Sequence, residues 1–337
     1  MAAADLILAV ETSCDDTCAA VVTGDGVIRS NVISSQGIHD RYGGVVPEVA
    51  SRHHLELATP VVDDALARAG AGLDDIDLVA VTAGPGLVGA LLVGVATAKG
   101  LAAARGLPLA AVDHLQGHVA ANFLHTDDGG APLEPPFLCL IASGGHTFLA
   151  RVEHHAGFTV LGQTLDDAAG EAIDKGARLL GLPFPGGPHL EKLAAEGDPA
   201  AFAFPISKNL PGLDFSFAGL KTALLYKVRD LGEEEAHARR ADLAAAYQRA
   251  IVEQLAVRVQ KALRDTGLER LAIGGGVAAN GPLRERLSAL APVVKVPPRA
   301  LCTDNAAMIA SAARWVAPVA FPGYLGLEVH ATGARAL

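Results

Sequence analysis

Aromatic residues are scarce in this chain: one Trp, four Tyr and ten Phe among 337 residues. Half of the residues are hydrophobic all the same, so the core must be built from Ala, Val and Leu, in an amount that suits one large or two mid-sized domains. That apolar share excludes disorder over most of the length. Cysteine is nearly absent. The four present, Cys14, Cys18, Cys139 and Cys302, form no C-x-x-C pair and no disulfide framework, which fits a reducing cytoplasm. Basic residues are in deficit, 27 Lys and Arg against 37 Asp and Glu, a formal charge of −10. This balance argues against a free-standing polyanion binder, whose affinity rests on cations neutralising phosphates, while leaving room for a local basic patch.

Export and membrane signals are also missing. Met1 to Val10 carries Asp5 where a signal peptide has basic residues, and its apolar run is short before Glu11. Leu78 to Ala98 is free of charge over about the length that crosses a bilayer. However, Gly84-Pro85-Gly86 interrupts it where a lipid-facing helix would have to satisfy its own backbone. The stretch reads as a buried strand over 78–82, a glycine turn and a packed helix over 88–104.

What is present is a repeated plan. An apolar run over 5–10 leads into the polar turn Glu11-Thr12-Ser13-Cys14-Asp15-Asp16-Thr17 and a second run over 18–23. Residues 137–142 repeat it, with the turn Ser143-Gly144-Gly145-His146-Thr147 and then Phe148 to Val152. Both read as β-hairpins. A third run, Leu271 to Ile273, ends in Gly274-Gly275-Gly276 and opens a helix near Asn280. Helical patterns fill 55–69, 165–181, 236–265 and 304–316. Two hairpin-initiated α/β halves predict a duplicated domain with a cleft between, residues 1–130 and 131–337, hinged near 126–136, with the late helix near 304–316 packing back on the first half.

Glycine- and hydroxyl-rich turns at strand ends expose backbone N–H groups that bind anions, and three of them point to a nucleotide. His114 and His118 stand four apart, a spacing that puts both rings on one helix face, either as a metal pair or as capped, solvated histidines. Asp304 is the candidate third ligand or, alternatively, the N-cap of the late helix. Two imidazoles and a carboxylate suit iron(II) or zinc(II) with positions left for substrate. The zincin motif would need Glu where Leu115 stands, so that protease mechanism is disfavoured. Asp166 to Lys175 is acidic and helical in period; it reads as a helix start suited to its dipole or as a site whose Asp174 takes ribose hydroxyls.

Taken in order, these motifs resemble the TsaD family, formerly called Gcp, nearly end to end. Those that match are Glu11 to Thr17, Tyr42 to Glu48 with Ser51-Arg52-His53, His114 and His118, Ser143 to Thr147, Asp166 to Lys175, Gly186-Gly187-Pro188, Phe215 to Thr222, Gly274 to Asn280 and Thr303-Asp304-Asn305. The resemblance implies an actin-like ATPase (ASKHA) fold of two duplicated α/β subdomains with a nucleotide cleft. It also implies transfer of the threonylcarbamoyl group from L-threonylcarbamoyladenylate to N6 of adenosine-37 in tRNAs reading codons that start with A, releasing AMP. Carried over by position, His114, His118 and Asp304 would hold one divalent ion, iron(II) ahead of zinc(II). Ile141, Ala142, Ser143, Gly144 and Gly145 would cradle the phosphate and acyl region of the adenine nucleotide. Asp174, Gly187, Glu191 and Asn280 would hold its nucleoside part, and Asp15 would act near the acyl group as the catalytic residue.

Two positions depart from the family pattern: Glu191 stands where many members have Asp, and Ala218 where Ser is common, which leaves Ser216 and Lys221 as the better contacts. The implied partners are tRNA, a TsaB-like paralogue and a TsaE-like ATPase, with no membrane. The alternatives are an ASKHA-type phosphotransferase, which lacks the His pair, and a non-catalytic ASKHA scaffold, which has lost the ligands. A tRNA substrate and a charge of −10 are reconciled by distribution, with Lys208, Lys221, Lys227, Arg229, Arg239 and Arg240 as a candidate basic patch or as ordinary solvated helix charges.

Overall fold

The first two apolar runs pair as an antiparallel hairpin, β1 (Leu6–Glu11) and β2 (Asp16–Thr23), with Val10 opposite Ala19 and Glu11 opposite Cys18. The computed structural model describes residues 5–42, 44–126, 131–207 and 210–331. Residues 127–130 of the expected hinge, Gly43 and Lys208 lie outside the described residues.

The chain divides into two units, Met1–Glu134 with His154–Gly157 and Asp304–Leu337, and Pro135–Glu153 with Phe158–Thr303. In the first unit the hairpin is extended by β3 (Ile28–Ser35), α1 (Pro47–Ala69), β4 (Leu78–Gly84), α2 (Val88–Arg105), β5 (Leu109–Asp113) and α3 (His114–Ala120). The sheet order is β3-β2-β1-β4-β5, with β1, β4 and β5 parallel. β1 and β4 are buried along almost their whole length, because both faces of the sheet are covered, which is why they read as continuous apolar runs without alternation. α1 turns one stripe inward, Ala50, His54, Ala58, Val61, Ala65 and Ala69, the helical period expected of a helix on a core. The charge-free stretch becomes β4 and α2, whose Ala90, Leu91, Val95, Ala98 and Ala102 are buried inside this unit. Its apolarity serves a core built of small side chains.

The second unit contains β6 (Phe137–Ala142), β7 (Thr147–His154), β8 (Gly157–Gln163), α4 (Ala169–Leu179), α5 (Gly186–Ala194), α6 (Ala218–Leu231), α7 (Glu233–Ala238), α8 (Arg240–Thr266), β9 (Arg270–Gly274), α9 (Gly281–Ser288) and β10 (Val293–Lys295). Its sheet runs β8-β7-β6-β9-β10, the same order as the first, with β6 antiparallel to β7 and parallel to β9. α8 is buried along much of its length, and its Tyr247 hydroxyl donates to the Ala172 carbonyl at 2.8 Å. The last helix, α10 (Ala306–Ala313), belongs to the first unit and is buried at every position.

Candidate functional site

The His pair is set by a cap. β5 ends at Asp113, whose carboxylate accepts the N–H groups of Leu115 and Gln116 at 2.8 and 3.0 Å, so the helix starts at His114. His114 and His118, 6% and 1% exposed, then face the same side with ring centroids 4.7 Å apart. Asp304 reaches them from the start of α10. The capping role read at Asp304 falls instead to Asn305, whose side chain accepts the Met308 N–H at 2.9 Å. The Asp304 carboxylate stands 3.5 Å from His114 Nε2 and 3.3 Å from His118 Nε2.

All three donor atoms lie within 4.8 Å of one another. An ion with ~2.1 Å bonds in tetrahedral geometry separates its ligands by about 3.4 Å, close to the two carboxylate–imidazole spacings. Neither ring nitrogen of buried His118 makes a hydrogen bond, a penalty that a metal bond would relieve. The donor set therefore fits a divalent transition ion.

Behind the pair sits Glu11, at the end of β1 and 0% exposed. It accepts from His114 Nδ1 at 3.1 Å, from the Thr82 hydroxyl and from the Ser13 backbone N–H. A carboxylate on Nδ1 orients the ring so that Nε2 is presented to an ion. Burial alone would push His114 down, but the charges of Asp304 and then Glu11 take it up to about 9. Burial likewise opposes ionisation of Glu11, and the His114 charge overcomes it, so the acid lies below its ordinary range. Sequence reading left Glu11 without a role. Its one signal was a charged residue directly continuing an apolar strand.

The β1–β2 turn carries the remaining groups. Thr12, fully buried, donates to the Ala90 carbonyl at 2.9 Å, and Gly94 of α2 lies so close that any Cβ there would run into the Thr12 hydroxyl. Asp15, partly buried, lies on this turn two residues after Ser13, whose hydroxyl is 3.2 Å from His114 Nδ1. Burial first, then the charges of Asp304, Asp15 and Glu11, push Asp16 up to about 7 against a hydrogen bond from Ser35.

In the second unit, β6 and β9 pair in parallel with Ile141 opposite Gly274, so the turns at Ser143–Gly145 and Gly274–Gly276 leave the sheet side by side. Gly275 has φ 86° and ψ 159°, and a Cβ would collide with the Ala142 carbonyl; that conformation is open essentially to glycine alone. The first turn is locked by Ser143 N–H to the His146 carbonyl at 2.8 Å and His146 N–H to Ser143 Oγ at 3.1 Å. Gly144 and Gly145 are exposed with open space where side chains would stand, the shape of an anion cradle.

Asp174 accepts the Gly186 N–H at 2.7 Å. Burial raises its pKa, opposed by this bond and by one from Gly187. Asp174 and Gly187 are thereby brought together. Glu191 accepts from Gly281 N–H at 3.0 Å and from Asn280 Nδ2 at 3.1 Å, while Asn280 Nδ2 also donates to Gln248 at 3.0 Å and its Oδ1 caps α9 through Leu283. Both amide hydrogens of Asn280 thus go to protein partners, and Gln248 is a member of this cluster that sequence reading missed. At the substituted position 218, Asp166 holds the turn itself. It accepts from Ser216 Oγ at 2.5 Å, Phe217 N–H at 2.7 Å and Ala218 N–H at 3.2 Å.

The candidate basic stretch is neutralised within its own span: residues 221–242 hold five basic side chains and five acidic ones. Arg239 pairs with Asp242 and lies over the Phe202 ring, and Arg229 lies beside Asp230 and over Tyr226.

Two sheets of identical strand order, each opened by a hairpin and completed by parallel strands, define the class: an α/β protein of the actin-like ATPase fold. Two solved structures share this fold. They are HypF from T. kodakarensis (TM-score 0.59, 15% identity, 91% of this chain and 47% of that one) and component A of the Acidaminococcus fermentans (R)-2-hydroxyglutaryl-CoA dehydratase (TM-score 0.54, 16% identity, 93% and 97%). The sequence narrows the class, since residues 27–311 match the TsaD model, tRNA N6-adenosine threonylcarbamoyltransferase. Relatives of that description come from Anaeromyxobacter dehalogenans (55% identical, 91% of this chain and 92% of the relative), Clostridium perfringens (50%, 91% and 91%) and Thermomicrobium roseum (48%, 97% and 96%). The chain belongs to the TsaD family of tRNA N6-adenosine threonylcarbamoyltransferases and is a transferase.

Proposed function

We propose that this chain transfers the threonylcarbamoyl group from L-threonylcarbamoyladenylate to N6 of adenosine-37 in tRNAs reading codons that start with A, releasing AMP. The observation that carries the reading is the His114–His118–Asp304 cluster, three donors at ligand spacing, with the ring nitrogens of buried His118 making no hydrogen bond. An ASKHA phosphotransferase has no use for such a cluster, and a scaffold would have no reason to keep it. His114, His118 and Asp304 would hold iron(II), with zinc(II) second. Bound there, the ion supplies Lewis-acid polarisation of a substrate oxygen.

The exocyclic amine of adenine is a weak nucleophile, so the chain's own groups must position the reactants and stabilise charge. The exposed N–H groups of the Ser143–Gly145 turn, with Ile141 and Ala142 behind them, suit the phosphate and acyl region. Asp174, which accepts the backbone N–H groups of Gly186 and Gly187, is assigned to a ribose hydroxyl. Gly187, Glu191 and Asn280 shape the nucleoside end, Asn280 by fixing the head of α9. Asp15 is assigned to the acyl end, as acceptor for the incoming amine.

The reaction would run in the cytoplasm with a TsaB-like paralogue and a TsaE-like ATPase. The decisive assay mixes the purified chain and these partners with labelled adenylate and tRNA. Label should enter tRNA, and His114→Ala should abolish metal binding and transfer together. Full transfer by a metal-free H114A protein, or no label in tRNA with the intact chain, would reject the reading.

A further inference from the structure

Beneath the β1–β2 turn lies a chain of buried polar groups that metal and nucleotide leave unused. His54 on α1 is 0% exposed, and Gln36, His39 and Thr17 around it are 5%, 1% and 1% exposed. His54 Nε2 is 3.0 Å from the Cys14 carbonyl. A carbonyl only accepts, so Nε2 carries a proton, and in the neutral ring Nδ1 is the acceptor.

Nδ1 faces two donors, the Thr17 hydroxyl at 2.8 Å and Gln36 Nε2 at 3.4 Å. The Gln36 amide is oriented by its Nε2 donating to the Ala50 carbonyl at 3.3 Å, which turns Oε1 toward His39 Nε2 at 3.0 Å. His39 must then donate from Nε2 and accept at Nδ1, and the Val46 N–H is 3.3 Å from Nδ1. With His54 neutral, every donor in this chain meets an acceptor. Buried networks satisfied in this way fix a unique arrangement. The same turn is tied a second time, by Gln36 N–H to the Asp15 carbonyl at 3.1 Å.

We propose that His54 is a positioning residue for the β1–β2 turn: as the neutral Nε2–H tautomer it pins the Cys14 carbonyl, and with Gln36 and His39 it sets where Asp15 stands. Its catalytic consequence rests on the transferase reading; its structural content does not. Burial also holds His54 below the ordinary histidine range, so the ring stays neutral at physiological pH. The relay continues to Val46, at the foot of α1.

The test has two arms. In the first, the full-length protein labelled with 15N-histidine is examined at pH 7 by long-range 1H–15N correlation, with His54 assigned by its loss in His54→Gln. The Nε2–H pattern is expected; an Nδ1–H tautomer or a charged ring overturns the proposal. In the second arm, His54→Leu removes the bond to Cys14, and His54→Gln restores a donor. For His54→Leu, kcat should fall roughly 10- to 100-fold with KM for the adenylate little changed, because a turn displaced by about 1 Å misplaces the reacting groups. His54→Gln should recover most of the loss. A folded His54→Leu protein with wild-type kcat overturns the proposal, as does equal loss in both variants.

Should His54→Leu fail to fold, Thr17→Val removes one Nδ1 donor at constant shape. A mixed tautomer population with a reduced kcat then supports the relay, and an unchanged spectrum and rate contradict it. A wild-type protein that shows the Nε2–H tautomer but transfers nothing sinks the transferase reading and leaves the relay standing.

Discussion

Replacing Glu11 with Gln keeps the side-chain volume and removes one charge, at a site with no solvent to compensate. The carboxylate serves three donors, His114 Nδ1–H, the Thr82 hydroxyl and the Ser13 N–H. A Gln amide brings one acceptor oxygen and one donor group, so at least one of the three faces another donor. The imidazole relieves that conflict by moving its proton to Nε2, the atom that should take the ion. Removing such a partner from a metal-bound histidine lowers affinity about 10- to 100-fold, which is ~1.4–2.8 kcal/mol. Competition of zinc(II) between the full-length protein and a fluorescent chelator reads this directly, with His118→Ala as the floor. A folded E11Q protein that binds zinc as tightly as wild type would refute the reasoning, because the carboxylate would then be a filler and not an orienting group.

Asp16 predicts a pH effect of unusual sign. Its carboxyl lies at about 7 in the fold against an ordinary 3.8, so between those values the folded protein keeps a proton that the unfolded chain has released, and stability falls as pH rises through that window. Asp16→Asn should flatten this fall, raising Tm relative to wild type more at pH 8 than at pH 5; parallel curves would count against it. Gly275→Ala should cost at least ~2 kcal/mol in denaturant melts, from a backbone conformation closed to alanine plus the collision with Ala142. A loss under ~0.5 kcal/mol would mean that the turn relaxes freely. The isolated chain, at −10 and with residues 221–242 neutral, should hold tRNA weakly and lose it steeply with salt; tight, salt-insensitive retention on a filter would contradict this.

Much of the fold was legible because it rests on local pattern. The hairpins at Glu11–Thr17 and Ser143–Thr147, the break of the charge-free stretch at Gly84–Gly86 and the helix opening at Asn280 are each written in contiguous residues and appear where expected. The strands that complete the sheets were not legible. β3 alternates only partly and β10 is three residues long, too short for any period. At the site, His114 and His118 were readable because four residues make one helical turn, whereas the Nδ1 partners of His114, Glu11 on β1 and Ser13 on the turn after it, lie about a hundred residues away in sequence. Asp304 was read as a ligand or as a cap because Asp suits both, and the neighbouring Asn305 takes the cap. One residue of offset separates a helix cap from a ligand, and spacing rules do not resolve that. His54 was hidden more completely, since a buried histidine on an amphipathic stripe looks like any other core residue until the Cys14 carbonyl is seen against it.

Gly94 bears on how this molecule can be altered. Exchanging helical glycines for alanine is a routine way to stiffen a protein, with a gain of about 0.5–1 kcal/mol where the site is open. On α2 that recipe meets the Thr12 hydroxyl. A methyl group there would press the β1–β2 turn away from its seat and disturb Glu11 and Ser13 with it. A thermostabilisation campaign would find the position silent in every contact table of the metal ligands and still lose the enzyme. For design and for natural drift alike, this glycine should behave as part of the reaction centre.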